Sequence, residues 1–318
     1  MLEIPPVTRD DVLRAAERIA GLVERTPLIE AQINGMRIWL KCECLQTGGA
    51  FKLRGATNRL LQLSADERDK GVVAFSSGNH ARGVAIAARR LGIRAIIVMP
   101  SDAPQVKVDG TRAEGAEVVF YDRRTESREA IAARISEETG AIVVPSFDDP
   151  AIVAGQGTAG LEISEQLGQV PTRIVVPCGG GGLASGIALA VPEAEIAIVE
   201  PTGWDDMGRS LELGHIVPVE AGAPDTLCDA LQTPRVSPIT FGVLRDRHAS
   251  ALSVTDEEVE EAMRFVFERH GIVVEPGGSA ALAALLAGKL QPGEKTVVVL
   301  SGGNVDPALH ARIVANAP

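Results

Sequence analysis

Aromatic residues are nearly missing from this 318-residue chain, at 3% against 45% hydrophobic residues in all. A core of that make-up has to be built from Val, Ile, Leu and Ala, which suits sheets covered on both faces by helices. Excess positive charge is missing too. The formal net charge of −11 leaves no basic footprint for nucleic acid or for an anionic membrane surface. No apolar run reaches the length of a membrane span, and the amino terminus MLEIPPVTRDD has no basic segment followed by an apolar core, so the expected location is cytoplasmic. Cysteine is scarce. Cys42, Cys44, Cys178 and Cys228 include a Cys-x-Cys pair but no Cys-x-x-Cys at zinc spacing, so neither a zinc site nor a disulfide framework is expected. These absences leave a protein that handles a small molecule, and the length suggests about two domains.

What is present is a regular alternation. From Gly71 onward VVAF, SSGNHARG, AIAARRLG and AIIVMP read as strand, loop, helix and strand, and the pattern recurs through 113–121 and 127–144. Such alternation predicts an α/β fold with a parallel sheet and right-handed crossovers. Thr8 with Asp11, Ser64 with Glu67, and Thr255 with Glu258 mark three helix starts by their spacing. A further helix is expected over 56–63. The proline-containing SFDDP at 146–150 reads as a passage between domains, and the segment 202–241, rich in Gly, Pro and Asp, as a long functional or interface loop.

The chemistry centres on TGGAFKLRGA, residues 47–56. Lys52 follows Phe51 and sits among small residues, as an amine nucleophile must if it is to be partly desolvated and still admit a carbonyl compound. From this stretch alone a surface lysine at a helix start is an equally good reading. Two glycine-rich stretches bear on the choice. Gly179, Gly180, Gly181 and Gly182 follow the strand-like TRIVVP and precede a helix beginning near Leu183, so backbone amides can converge on a phosphate at a helix amino terminus. The run lacks the Walker lysine and the spacing of a dinucleotide fingerprint. A phosphate that is not a nucleotide, beside a candidate amine nucleophile, suggests pyridoxal 5'-phosphate. SSGNHARG, residues 76–83, is a polar loop after a buried-type strand and suits capture of a substrate carboxylate.

Taken together, GAFKLRGA, SSGNHARG, GGGGL and SGGNVD occur in an order that resembles the serine/threonine dehydratase and serine racemase family of pyridoxal-phosphate enzymes. The resemblance implies a two-domain parallel-sheet α/β fold of the tryptophan-synthase-β type, with the active site in the interdomain cleft. Residues 1–69 and 148–318 would form the large cofactor-binding domain and 70–147 the small domain. It implies that Lys52 holds the cofactor as a Schiff base and moves the α-proton, with Phe51 beside the ring, Asn79 at its phenolic oxygen, Gly179 to Leu183 at the phosphate and Ser301 at the pyridine nitrogen. Ser76, Ser77, Asn79 and His80 would bind substrate, and Ser77 would be the acid/base on the opposite face; Arg128 is a further substrate-binding candidate on the separate ground of its charge. A homodimer is implied as well.

Glu200, Asp206 and the Trp204 carbonyl resemble the family's divalent cation site, and such hard oxygen ligands suit Mg²⁺, Ca²⁺ or Mn²⁺. Two departures stand out. Arg82 takes a position where the family more often has glutamine, and Arg82 or Arg128 is expected to meet a second acidic group on the substrate, as in 3-hydroxyaspartate. CDALQ at 228–232 replaces the more frequent ADGV. The expected activity is that of an ammonia-lyase converting a β-hydroxy amino acid to a 2-oxo acid and ammonia. An amino-acid racemase is the alternative, and a non-catalytic binder of a phosphorylated ligand the more distant one.

Overall fold

The computed structural model describes residues 7–76, 78–103, 105–122 and 124–315. Among these are ten strands: β1 (Leu28–Ile33), β2 (Met36–Cys42), β3 (Val72–Phe75), β4 (Ala95–Pro100), β5 (Glu117–Tyr121), β6 (Ile142–Val143), β7 (Arg173–Pro177), β8 (Glu195–Pro201), β9 (Ser250–Val254) and β10 (Thr296–Leu300). They form a six-stranded sheet in the order β1-β2-β10-β7-β8-β9 and a four-stranded sheet in the order β5-β4-β3-β6. Every pairing is parallel except β1 with β2, a hairpin turning at Asn34 and Gly35.

The parallel strands are apolar without a break because both their faces are covered. In β10, Val298 and Leu300 face the helices Asp256–His270 and Pro276–Leu286. Val297 and Val299 face the helices Pro150–Leu167 and Gly182–Ala190. The smaller sheet repeats the scheme, with Val72 and Ala74 against the helix Asn79–Leu91 and Val73 against the helix Arg128–Thr139. Its core also takes in Leu53, Ala56 and Leu60 from the helix Lys52–Leu61, together with Ile152. That helix therefore lies between the two sheets.

All three capping boxes form as read, at Thr8, Ser64 and Thr255. The helix expected over 56–63 starts earlier, at Lys52 itself. The segment 202–241 is not a continuous loop: Asp206–Leu213 is helical, because Glu200 reaches from the end of β8 to accept the amides of Met207 and Gly208 at 3.0 and 2.8 Å. The loops after β2, β3, β7 and β10 all leave the carboxyl ends of parallel strands, where ligands of open α/β sheets bind.

Candidate active site

Lys52 opens its helix, half-buried, with Nζ donating to the Ser146 carbonyl at 3.0 Å and lying 5.1 Å from the Phe51 ring centre. Among the described residues no carboxylate pairs with it. Burial lowers its pKa to about 8, so a useful fraction of the amine is free near neutrality. The loop holding it is tied to the far end of the chain: Phe51 N–H donates to the Ser301 carbonyl at 3.2 Å, and Ala50 bridges Gly302. Ser301 is buried just after β10, so the sheet brings two sites from opposite ends of the sequence onto one edge.

The glycine run lies on the same edge, after β7. Gly182 starts its helix and Leu183 is buried beneath it. A Cβ on Gly180 would come within 2.3 Å of the Phe147 ring, so the close approach of that ring demands glycine there. Convergent amides at a helix amino terminus, next to a buried free amine, fit a phosphate-bearing carbonyl cofactor.

Asn79 begins the helix after β3. Its Nδ2 donates to Glu275 Oε1 and its Oδ1 accepts from Asn304 Nδ2 at 2.7 Å. Ser76 Oγ accepts from the Gly78 amide at 3.1 Å, and Arg128 lies 5.5 Å from the Phe75 ring centre, beside Ser76, with Nε on Glu129. Ser77 lies outside the described residues. His80 is buried, and its Nε2 meets the Val144 carbonyl at 2.9 Å. A carbonyl only accepts, so Nε2 carries the proton and Nδ1 is a bare acceptor without a partner among the described residues. Burial, then the nearby Lys52 charge, push its pKa down to about 3, and the ring is committed to the interior.

The two arginines are separated. Arg82 Nη1 donates to Asn304 Oδ1 at 2.9 Å, whereas Arg128 stands by the loop after β3. Glu200 and Asp206 are both buried, and Asp206 accepts the Val236 amide at 3.0 Å. Burial raises Asp206 to about 6 and Glu200 well above the usual carboxylate range. Trp204 donates its indole N–H to Pro224. No cluster of three or more His, Cys, Asp or Glu side chains suited to a metal is found among the described residues.

Glu275 and Asn304 escaped sequence reasoning. Glu275 stands directly before Pro276 where a helix cap is expected, but makes no capping bond. Burial, then the charge of Asp229, raise its carboxyl to about 7, against the Asn79 hydrogen bond and Lys107. Its isolation before a Pro-Gly-Gly helix start was the available signal.

A parallel α/β fold with a desolvated lysine, a glycine cradle and a buried serine on one sheet edge defines a pyridoxal-phosphate enzyme, and the family comparison agrees. The chain belongs to the pyridoxal-phosphate dependent enzyme family, whose pattern matches residues 19–302. It is 44% identical to an L-threo-3-hydroxyaspartate ammonia-lyase from a Pseudomonas species, over 96% of this chain and 97% of that one. To a serine racemase of Schizosaccharomyces pombe it is 40% identical, over 97% of each. The solved structure of maize serine racemase superposes with a TM-score of 0.91 at 36% identity, again over 97% of each chain.

Proposed function

We propose that this enzyme is an ammonia-lyase acting on a β-hydroxy amino acid, with 3-hydroxyaspartate ahead of L-threonine and L-serine. The net reaction removes water across Cα and Cβ, and water uptake then releases ammonia and a 2-oxo acid. The observation that carries the reading is Lys52, a half-buried amine with no counter-charge among the described residues, at about pKa 8 beside a glycine cradle. Pyridoxal phosphate, when bound, supplies an electron sink for negative charge at Cα. Gly179 to Gly182 would hold its phosphate, Asn79 and Ser301 would face its ring, and Phe51 would flank it. Lys52 Nζ moves the α-proton, and burial keeps that amine close to the pH at which it both accepts and returns protons. Ser76 and Asn79 receive the α-carboxylate, with His80 supporting the loop from below.

Arg128 would meet the second carboxylate: it lies over the ring of Phe75, the residue before Ser76, and its present partner Glu129 is an exposed neighbour that a substrate carboxylate can replace, whereas Arg82 is held by Asn304. The ammonia-lyase relative acting on L-threo-3-hydroxyaspartate supports that choice. Glu200, Asp206 and the Trp204 carbonyl would hold a divalent cation, Mg²⁺, Ca²⁺ or Mn²⁺. Two buried carboxylates both raised by burial favour a cation between them. Chelation should then lower the melting temperature, and an unchanged one removes the cation. Four buried free cysteines suit a reducing compartment such as the cytoplasm, and the working unit is taken as a homodimer with residues 70–147 as its small domain.

The test is 2-oxo acid release from L-threonine, L-serine, their D forms and 3-hydroxyaspartate, with borohydride trapping at Lys52. A kcat/KM for hydroxyaspartate clearly below that for threonine or serine would refute the acidic substrate. A racemase is the second reading, favoured by the similarity to serine racemases and by a serine at position 77. Loss of optical rotation without keto acid would select it.

A further inference from the structure

Arg82 donates to Asn304, Asn304 donates to Asn79, and Asn79 donates to Glu275. The direction of this relay is forced. A guanidinium has no acceptor, so Asn304 must turn Oδ1 toward Arg82; its Nδ2 then gives one N–H to Asn79 Oδ1 at 2.7 Å and the other to the Gly48 carbonyl at 2.8 Å. Asn79 is left with Nδ2 as its donor end, which among the described residues gives an N–H to Glu275.

The relay reaches the backbone that carries the catalytic lysine. Gly48 is four residues before Lys52 in the same loop, and a Cβ on Gly83, the neighbour of Arg82, would lie 3.1 Å from the Lys52 carbonyl carbon. Arg82 is half-buried and its Nε is buried without a partner among the described residues, so its charge is poorly screened by water. A glutamine at this position could make the same hydrogen bond to Asn304 but would carry no charge.

We propose that Arg82 is a positioning residue that acts through Asn304 and Asn79, its fixed charge setting the protonation equilibrium of the nitrogen that Lys52 presents to the cofactor. This rests on the pyridoxal-phosphate reading of Lys52. Among the described residues, the charged and titratable groups facing the relay are Glu275, with Lys107 and Asp229 paired at 2.6 Å behind it, and His80, which stays neutral. Arg82 is the cation built into the chain of hydrogen bonds itself.

The experiment is a pH titration of the visible absorption band of the bound cofactor, without substrate, in the wild-type holoenzyme and in Arg82→Gln and Arg82→Lys. Removing a positive charge makes the proton easier to hold, so Arg82→Gln should move the midpoint upward by about one pH unit. Arg82→Lys should stay with the wild type. The proposal is overturned if Arg82→Gln leaves the midpoint in place, or if Arg82→Lys moves as far as Arg82→Gln. It is equally overturned if Arg82→Gln changes only the KM for a dicarboxylic substrate, which would make Arg82 a substrate ligand. Borohydride trapping separates the underlying reading, because a wild type that retains no cofactor at Lys52 refutes that reading and not the relay.

Discussion

Lys41 and Lys52 are eleven residues apart, and the protein treats their charges in opposite ways. Lys41 is fully buried at the end of β2, where Nζ donates to Glu162 at 2.5 Å and to the Thr26 carbonyl at 2.7 Å. Arg54 joins the same cluster, with Nε and Nη2 on Glu43 at 2.8 Å and Nη1 on Glu162 at 2.6 Å. Two cations thus meet two carboxylates. Burial pulls the Lys41 pKa down, but Glu43 and Glu162 oppose it. Burial alone would raise Glu43, yet the charge and hydrogen bonds of Arg54 bring it below the usual range. Among the described residues Lys52 has only the Ser146 carbonyl, and its pKa is lowered by burial. Compensated charge fixes the helix that carries the nucleophile; uncompensated charge makes the nucleophile.

The sharpest way to break this contrast is to remove the uncompensated amine. Lys52→Ala should lose roughly 10²–10⁴-fold or more in kcat for 2-oxo acid release, the range expected when a positioned proton-transfer group is deleted. Residual turnover near the wild-type rate would show that another group moves the α-proton. The compensated cluster should fail in stability first. Arg54→Met leaves Glu43 buried without its main partner and should lower unfolding stability by about 3–5 kcal/mol, read from urea denaturation. A loss below about 1 kcal/mol, typical of exposed pairs, would mean that the cluster is no better than a surface ion pair.

The same contrast explains what could be read in the sequence. Lys52, Asn79, Gly179 to Gly182 and Ser301 sit at strand-to-loop junctions, where glycine and polar residues interrupt an apolar run, so each announces itself locally. Arg54 was visible only as the residue two past the lysine. Nothing nearby tells that its partners are Glu43 and Glu162, because Glu162 lies 108 positions away. Glu275 meets Asn79 across 196 positions. Periodicity and capping report the neighbourhood along the chain, whereas pairing of buried charges is decided by how the sheets bring distant helices together. The helix Asp206–Leu213 was hidden for a related reason: its amino-terminal amides are met by Glu200 from a neighbouring strand, and no capping residue of its own marks the start.

The smallest effect expected is also the most direct test of the comparison. In the cofactor-free protein, Lys52 has a folded pKa of about 8 against an ordinary lysine value of 10.5. Between those values the unfolded chain binds more protons than the folded one, so wild-type stability rises with pH through that window. Below it both states are charged and the burial penalty is constant. Lys52→Met removes the penalty and the titration together. The variant should therefore be more stable than the wild type at neutral pH, with the wild type catching up as the pH passes 8 and approaches 10.5. Urea midpoints measured across that range give the answer: if the wild type and Lys52→Met keep a constant separation throughout, the amine is not held at a lowered pKa, and the distinction between the two lysines fails.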